Sequence, residues 1–282
     1  MPMFAVAAVA LGGCAFGLPG VAGLTRHSGR NRHTTTTTAP APTTRPTATT
    51  TPTTAAPPTT TTAAPAHPLF DDEFAGTALD LSKWEPNWLG GSNTATTPPV
   101  NSAESSCYAP AQATVPGDGY LHLTAAARAC AVNGRTYPYT SALVETAPHF
   151  TFTTGHLEAR VWFPGRGATI ADWPAVWTDG TGNWPATGES DIVEGLGGQA
   201  CFHYHSPSGG PGGCAAGSFT GWHTFAEDVR NGTTTYFYDG VKVGALANVN
   251  APHYLILNLG VGGAGGPTAP ATMLVDYVRV TP

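Results

Sequence analysis

The run Thr235-Tyr236-Phe237-Tyr238-Asp239-Gly240-Val241-Lys242-Val243 sets two β-prone segments on either side of an Asp-Gly pair. A two-residue hairpin turn needs positive φ at its central positions, which Asp and Gly supply at little cost, so the run predicts a tight antiparallel hairpin. Outward from it the same pattern recurs. Gly155-His156-Leu157-Glu158-Ala159-Arg160-Val161-Trp162-Phe163 alternates, with Leu157, Ala159, Val161 and Phe163 on one face. Tyr120-Leu121-His122-Leu123-Thr124 also alternates, and Tyr254-Leu255-Ile256-Leu257-Asn258-Leu259 reads as a buried strand. Met273-Leu274-Val275-Asp276-Tyr277-Val278-Arg279-Val280 closes the chain as another. No long stretch carries a convincing 3.6-residue period. Many short strands separated by Gly and Pro turns predict an all-β protein, a sandwich or jelly roll.

Composition points the same way. The 282 residues include 35 Gly and 26 Pro, 10% are aromatic and only 11% charged, a profile of extracellular all-β domains. The formal charge of −6 comes without a basic patch, so nucleic acid is not an expected partner. Of the cysteines, Cys14 lies near the start, leaving Cys107, Cys130, Cys201 and Cys214 in the folded part. In an exported protein these read as two disulfides. The local pairings Cys107–Cys130 and Cys201–Cys214 are preferred, with the other two connectivities open. A zinc site is disfavoured because no CxxC spacing occurs.

Residues 1–24 form an apolar leader, read as a signal peptide or a membrane or lipid anchor. Val21-Ala22-Gly23 offers small residues for cleavage, and Leu11-Gly12-Gly13-Cys14 resembles a lipobox that would place a lipid on Cys14. No Lys or Arg precedes the apolar run, which leads to the expectation of a basic segment upstream of the given start. If the leader stayed uncleaved, Arg26, Arg30 and Arg32 would hold that side in the cytoplasm. Residues 25–68 are dominated by Thr, Pro and Ala and are expected to be a disordered linker. In extended polyproline form it would reach up to ~100 Å. Residues 69–282 then form one domain, secreted or tethered at the cell surface, expected as a monomer that meets membrane only through the leader.

The segment richest in chemistry is Gly188-Glu189-Ser190-Asp191-Ile192-Val193-Glu194-Gly195. Strand side chains alternate, so Glu189 and Asp191 share a face while Glu194 has the wrong parity. A β-bulge at Ile192-Val193 would rotate Glu194 back. Glu189 and Glu194 would then lie ~13 Å apart at Cα, and side chains leaning over Asp191 would bring the carboxyls towards the ~5–5.5 Å of a retaining glycosidase rather than the ~6.5–9.5 Å of an inverting one. Crowded like charges resist full ionisation, which lets one Glu attack as an anion while the other delivers a proton. A solvated acidic strand face and a calcium site are the competing readings of the same three carboxylates.

In this order and context the residues resemble glycoside hydrolase family 16, the laminarinase-like group with E-x-D-x-x-E on a bulged strand, matched by Glu189, Asp191 and Glu194. The likeness covers nearly all of residues 69–282. It runs through Phe70–Phe74 with Leu79-Asp80 and Lys83-Trp84, Tyr139–Ser141, Phe152–Arg160, Asp172–Trp177, Asn183–Glu189, Asn258–Gly263 and Val275–Val280. It implies a β-jelly-roll of two antiparallel sheets with a concave cleft. It also implies Glu189 as nucleophile, Asp191 as helper and Glu194 as acid/base in double displacement on β-glucan, with β-1,3 linkages favoured by the bulged spacing. A non-catalytic glycan-binding module is the alternative. So is the same chemistry on mixed-linkage glucan or galactan, or in transglycosylation. Three departures stand out. Ser190 replaces a usually aliphatic residue, Gly165–Ala171 is longer than usual, and Glu227-Asp228-Val229-Arg230-Asn231 lacks a tryptophan often present.

Aromatic faces stack on sugar rings, which marks Trp173 and Trp184 as substrate contacts, with Trp177 assigned to the core or cleft floor. His203 and His205 share one face of the following strand and are expected in the cleft, as is Asn258. Catalysis requires no cofactor. Glu73 and Asp276 resemble the family's structural calcium position.

Overall fold

A computed structural model describes residues 67–88, 92–147, 149–262 and 267–282. The leader and nearly all of the linker expectation lie outside the described residues. Among the described residues no helix is long and apolar enough to cross a membrane.

The expected hairpin is present. Thr233–Tyr238 pairs with Val241–Ala247, with Tyr238 opposite Val241, and Asp239 and Gly240 turn the chain at φ of 48° and 74°. The alternating run Gly155–Phe163 is a strand of that extent, and its burial alternates residue by residue. Eight strands form one sheet. In order they are Val241–Ala247, Thr233–Tyr238, Gly221–Arg230, Gly155–Phe163, Ala271–Thr281, Leu121–Ala125 and Ala113–Thr114, with Phe70–Asp72 also paired to Ala271–Thr281. A second sheet orders Gly212–Cys214, Gln199–His205, Glu189–Leu196, Trp173–Gly180, His253–Gly260 and Leu143–Glu145. Pairing in both sheets is antiparallel, as in a jelly-roll sandwich.

The two sheets bury one core between them. Leu157, Ala159, Val161, Phe163, Phe225, Val275 and Val278 come from the larger sheet; Val144, Val176, Ile192, Val193, Leu255, Leu257 and Leu259 come from the smaller. Burying each large aliphatic or aromatic side chain contributes ~1.5–3 kcal/mol, so this layer dominates the stability. A smaller cluster of Tyr108, Leu143, Ala175, Trp177 and Ile256 lies on the other face of the six-stranded sheet, with Trp88 and Val100 packed on it. Both preferred disulfides are present, Cys107–Cys130 and Cys201–Cys214. The second ties the edge strand Gly212–Cys214 to Gln199–His205, where the two cysteines stand opposite each other.

Candidate active site

The acidic segment forms the central strand Glu189–Leu196. Gly188 starts it at φ +80°, and a Cβ there would lie 2.2 Å from the Tyr204 hydroxyl, so glycine alone fits. Asp191 stands opposite His203 and Glu194 opposite Cys201, which leaves Ile192 and Val193 facing the single residue Phe202. This is the expected bulge. Ile192 and Val193 are both fully buried in the inter-sheet core, and the parity reset returns Glu194 to the face of Glu189 and Asp191. The hydroxyl of Tyr238, from the opposite sheet, donates to the Ile192 carbonyl at 3.0 Å.

Register across the sheet assembles the surroundings. Glu189 lies between Asp179 and His205, and Asp191 between Trp177 and His203. The Trp184 indole donates to Glu189 Oε2 at 2.6 Å, and the Trp173 indole donates to Glu194 Oε1 at 2.9 Å. His203 Nδ1 is 3.0 Å from Glu194 Oε2. His205 Nε2 is 3.2 Å from Asp191 Oδ2 and 3.9 Å from Glu189 Oε1. The donor atoms of Glu189, Asp191 and His205 lie within 4.8 Å of one another, and so do those of Asp191, Glu194 and His203. Asp191 therefore sits between the two glutamates.

Exposure separates the roles. The side chains of Glu189 and Glu194 are 19% and 12% exposed, whereas that of Asp191 is 5% exposed. The two glutamates reach the accessible surface, and Asp191 lies buried between them. Burial pushes the carboxyl of Glu189 well above the ordinary range, and the neighbouring Asp191 charge adds to this. Burial likewise raises Asp191, followed by the Glu194 charge. Two buried acids in contact share a proton, so one is neutral while the other is ionised. Such a cluster suits proton donation and nucleophilic attack side by side. Each metal-competent triad contains an imidazole, which favours borderline metals such as zinc or copper over calcium.

The remaining expected residues divide. Trp173, Trp184, His203 and His205 all meet the carboxylates. Trp177 is buried, packs against Trp88 at 5.4 Å and donates to Asn258 Oδ1 at 2.8 Å. Asn258 is 6% exposed and also donates to Tyr108 at 2.9 Å, so its amide is held inside the protein rather than offered to the cleft. Tyr108 in turn donates to Glu104, a buried acid pushed up to about 7 by desolvation. Arg279 binds Glu73, and Arg160 binds Asp276. Each carboxylate is engaged by a guanidinium that a bound calcium would have to displace.

Sequence reading missed Asp179. It stands opposite Glu189, accepts from Tyr254 at 3.2 Å, and is pushed up to about 7 by burial. Its alternation with Ala175 and Trp177 in Trp173–Gly180 was the available signal.

No family model matches the chain. Over 264 residues it is 31% identical to the glucan endo-1,3-beta-glucosidase A1 of Niallia circulans, covering 75% of this chain and 37% of that protein. Over 183 residues it is 30% identical to an endo-1,3-1,4-beta-glycanase of Rhizobium meliloti, covering 57% of this chain and 38% of that protein. The chain thus spans well under half the length of these two relatives. Among solved structures it superposes on the endo-beta-1,3-glucanase of Pyrococcus furiosus with a TM-score of 0.65 at 25% identity, covering 76% of this chain and 93% of that one. These likenesses show a fold shared with solved β-glucanases.

Proposed function

We propose that the chain is a retaining endo-β-glucanase of the glycoside hydrolase family 16 type, acting on β-1,3-linked glucan by double displacement. The observation that carries this is the convergence of Glu189 and Glu194 on one face with Asp191 between them, achieved by the bulge at Ile192-Val193. The names of its relatives favour β-1,3-glucan, with mixed β-1,3-1,4-glucan next.

In this reading Glu189 attacks the anomeric carbon as a carboxylate. Asp191 lies between the two glutamates and tunes the ionisation of Glu189, while the Trp184 indole orients its second oxygen. Glu194 protonates the departing glycosidic oxygen and then deprotonates the water that hydrolyses the glycosyl-enzyme. Trp173 and His203 each bind one oxygen of Glu194 and fix its direction. Trp184 and Trp173 border the sugar-binding surface, and no cofactor takes part. The protein is secreted or surface-tethered, where polymeric glucan is met.

The test is reducing-sugar release from laminarin, mixed-linkage glucan and galactan. Laminarin is expected to be cleaved fastest, into oligosaccharides. Binding of laminarin without any release would favour the glycan-binding module instead.

A further inference from the structure

Beneath the acidic strand, on the core side, lies a polar group that the chemistry above does not use. Glu227, from the eight-stranded sheet, is fully buried and lies 2.6 Å from Ser190 Oγ in the facing sheet. Ser190 Oγ is 3.0 Å from the Tyr236 hydroxyl, and Tyr236 donates to the carbonyl of His203 at 2.9 Å. Glu227 Oε1 has no hydrogen-bond partner among the described residues. Around Glu227 lie Asp228 on its own strand, Tyr236 directly opposite on the paired strand of the same sheet, Tyr204 and Asp191 in the facing sheet, and His253, which lines the same small cavity. Burial lowers His253, so it supplies no lasting positive charge. An ionised Glu227 would leave a buried anion with one oxygen uncompensated, a costly state.

Counting hydrogens fixes the direction of the contacts. Tyr236 has one hydroxyl hydrogen, and it goes to His203. The contact between Ser190 and Tyr236 therefore uses the hydrogen of Ser190, and the contact between Ser190 and Glu227 requires a hydrogen on the carboxyl. If Glu227 were ionised, Ser190 would have to turn its hydrogen to the carboxylate, and Tyr236 would lose its donor.

We propose that Glu227 is a positioning residue: as a neutral carboxylic acid it heads a one-way hydrogen-bond chain through Ser190 and Tyr236 to the His203 carbonyl. The chain fixes the backbone that carries His203 against Glu194 and ties it to the strand between Glu189 and Asp191. The benefit to catalysis rests on the proposed glucanase function; the protonation of Glu227 does not. Burial holding Glu227 at about 8 agrees with the direction of the chain.

The experiment compares thermal unfolding of the full chain and its Glu227→Gln variant from pH 4.5 to 9. Between the ordinary carboxylate range and about 8, Glu227 is protonated when folded and ionised when unfolded, so stability falls as pH rises and then levels. The amide of the variant donates to Ser190 without titrating. The variant should gain in Tm relative to the parent across that window, with the gap steady above it. A gap independent of pH overturns the proposal. Independently, Ser190→Ala and Tyr236→Phe should each lower kcat on laminarin about tenfold with KM within about twofold. Unchanged kcat in both would also overturn it, even if Glu227→Gln fails to fold. If the parent cleaves no glucan, the functional reading fails while the pH-dependent gap still decides the state of Glu227.

Discussion

Tyr238 donates to the carbonyl of Ile192 at 3.0 Å, reaching from one sheet to the bulge in the other. The register shifts at the bulge, and the hydroxyl gives the Ile192 carbonyl a donor from the facing sheet. Tyr238→Phe keeps the ring packing and removes the bond. It should cost about 0.5–1.5 kcal/mol of stability, because one buried hydrogen bond is lost. Glucanase activity should fall more steeply than the folded fraction, since Glu194 depends on the bulge for its direction. Denaturant unfolding together with laminarin hydrolysis at low temperature would separate the two effects.

The acid limb of the pH–rate profile is expected to report Glu189, which must be ionised to attack. Burial is the largest cause of its raised pKa, the Asp191 charge adds to it, and His205 opposes it. Asp191→Asn should therefore move the limb to lower pH, and His205→Ala should move it higher. Both variants should also lose kcat, as each removes a neighbour of the nucleophile. Profiles of kcat/KM on laminarin check the two directions. Shifts of the same sign in both variants would contradict this electrostatic reading.

Two further buried acids, Glu104 and Asp179, are each pushed up to about 7, mainly by desolvation. A raised acid binds its proton more tightly in the folded state, so folding takes up protons between the ordinary carboxylate range and about 7. Their contributions are fully present at acid pH and decline as pH rises towards 7. The Tm is expected to be higher near pH 5 than at pH 8, as scanning calorimetry across that range would check.

Much of this architecture is legible in the sequence because period-two patterns and Asp-Gly turns act locally. The bulge is legible too, since Glu194 at the wrong parity for Glu189 demands one extra residue between them. What was not legible is set by contacts between distant segments. Ser190 and the segment beginning at Glu227 each read as a departure from the family pattern, and the structure joins them at 2.6 Å across the two sheets. Neither position announces the other, because 37 residues and a change of sheet separate them. Asn258 has the right parity for a substrate contact, yet Trp177 and Tyr108 occupy its amide. Glu73 and Asp276 read as calcium ligands by resemblance, and the ion pairs they make with Arg279 and Arg160 are not visible in the sequence.

The assignment of roles to Glu189 and Glu194 is open to one direct measurement, rescue by azide of the Glu189→Ala and Glu194→Ala variants on an activated β-glucoside of laminarin type. Without Glu189, azide enters the vacated face of the sugar and gives the α-glycosyl azide. Without Glu194, the glycosyl-enzyme still forms on Glu189, and azide displaces it to give the β-glycosyl azide. One azide of each configuration, from the variant named, is the predicted result. The same configuration from both variants, or undiminished hydrolysis in either, would contradict the two-carboxylate account.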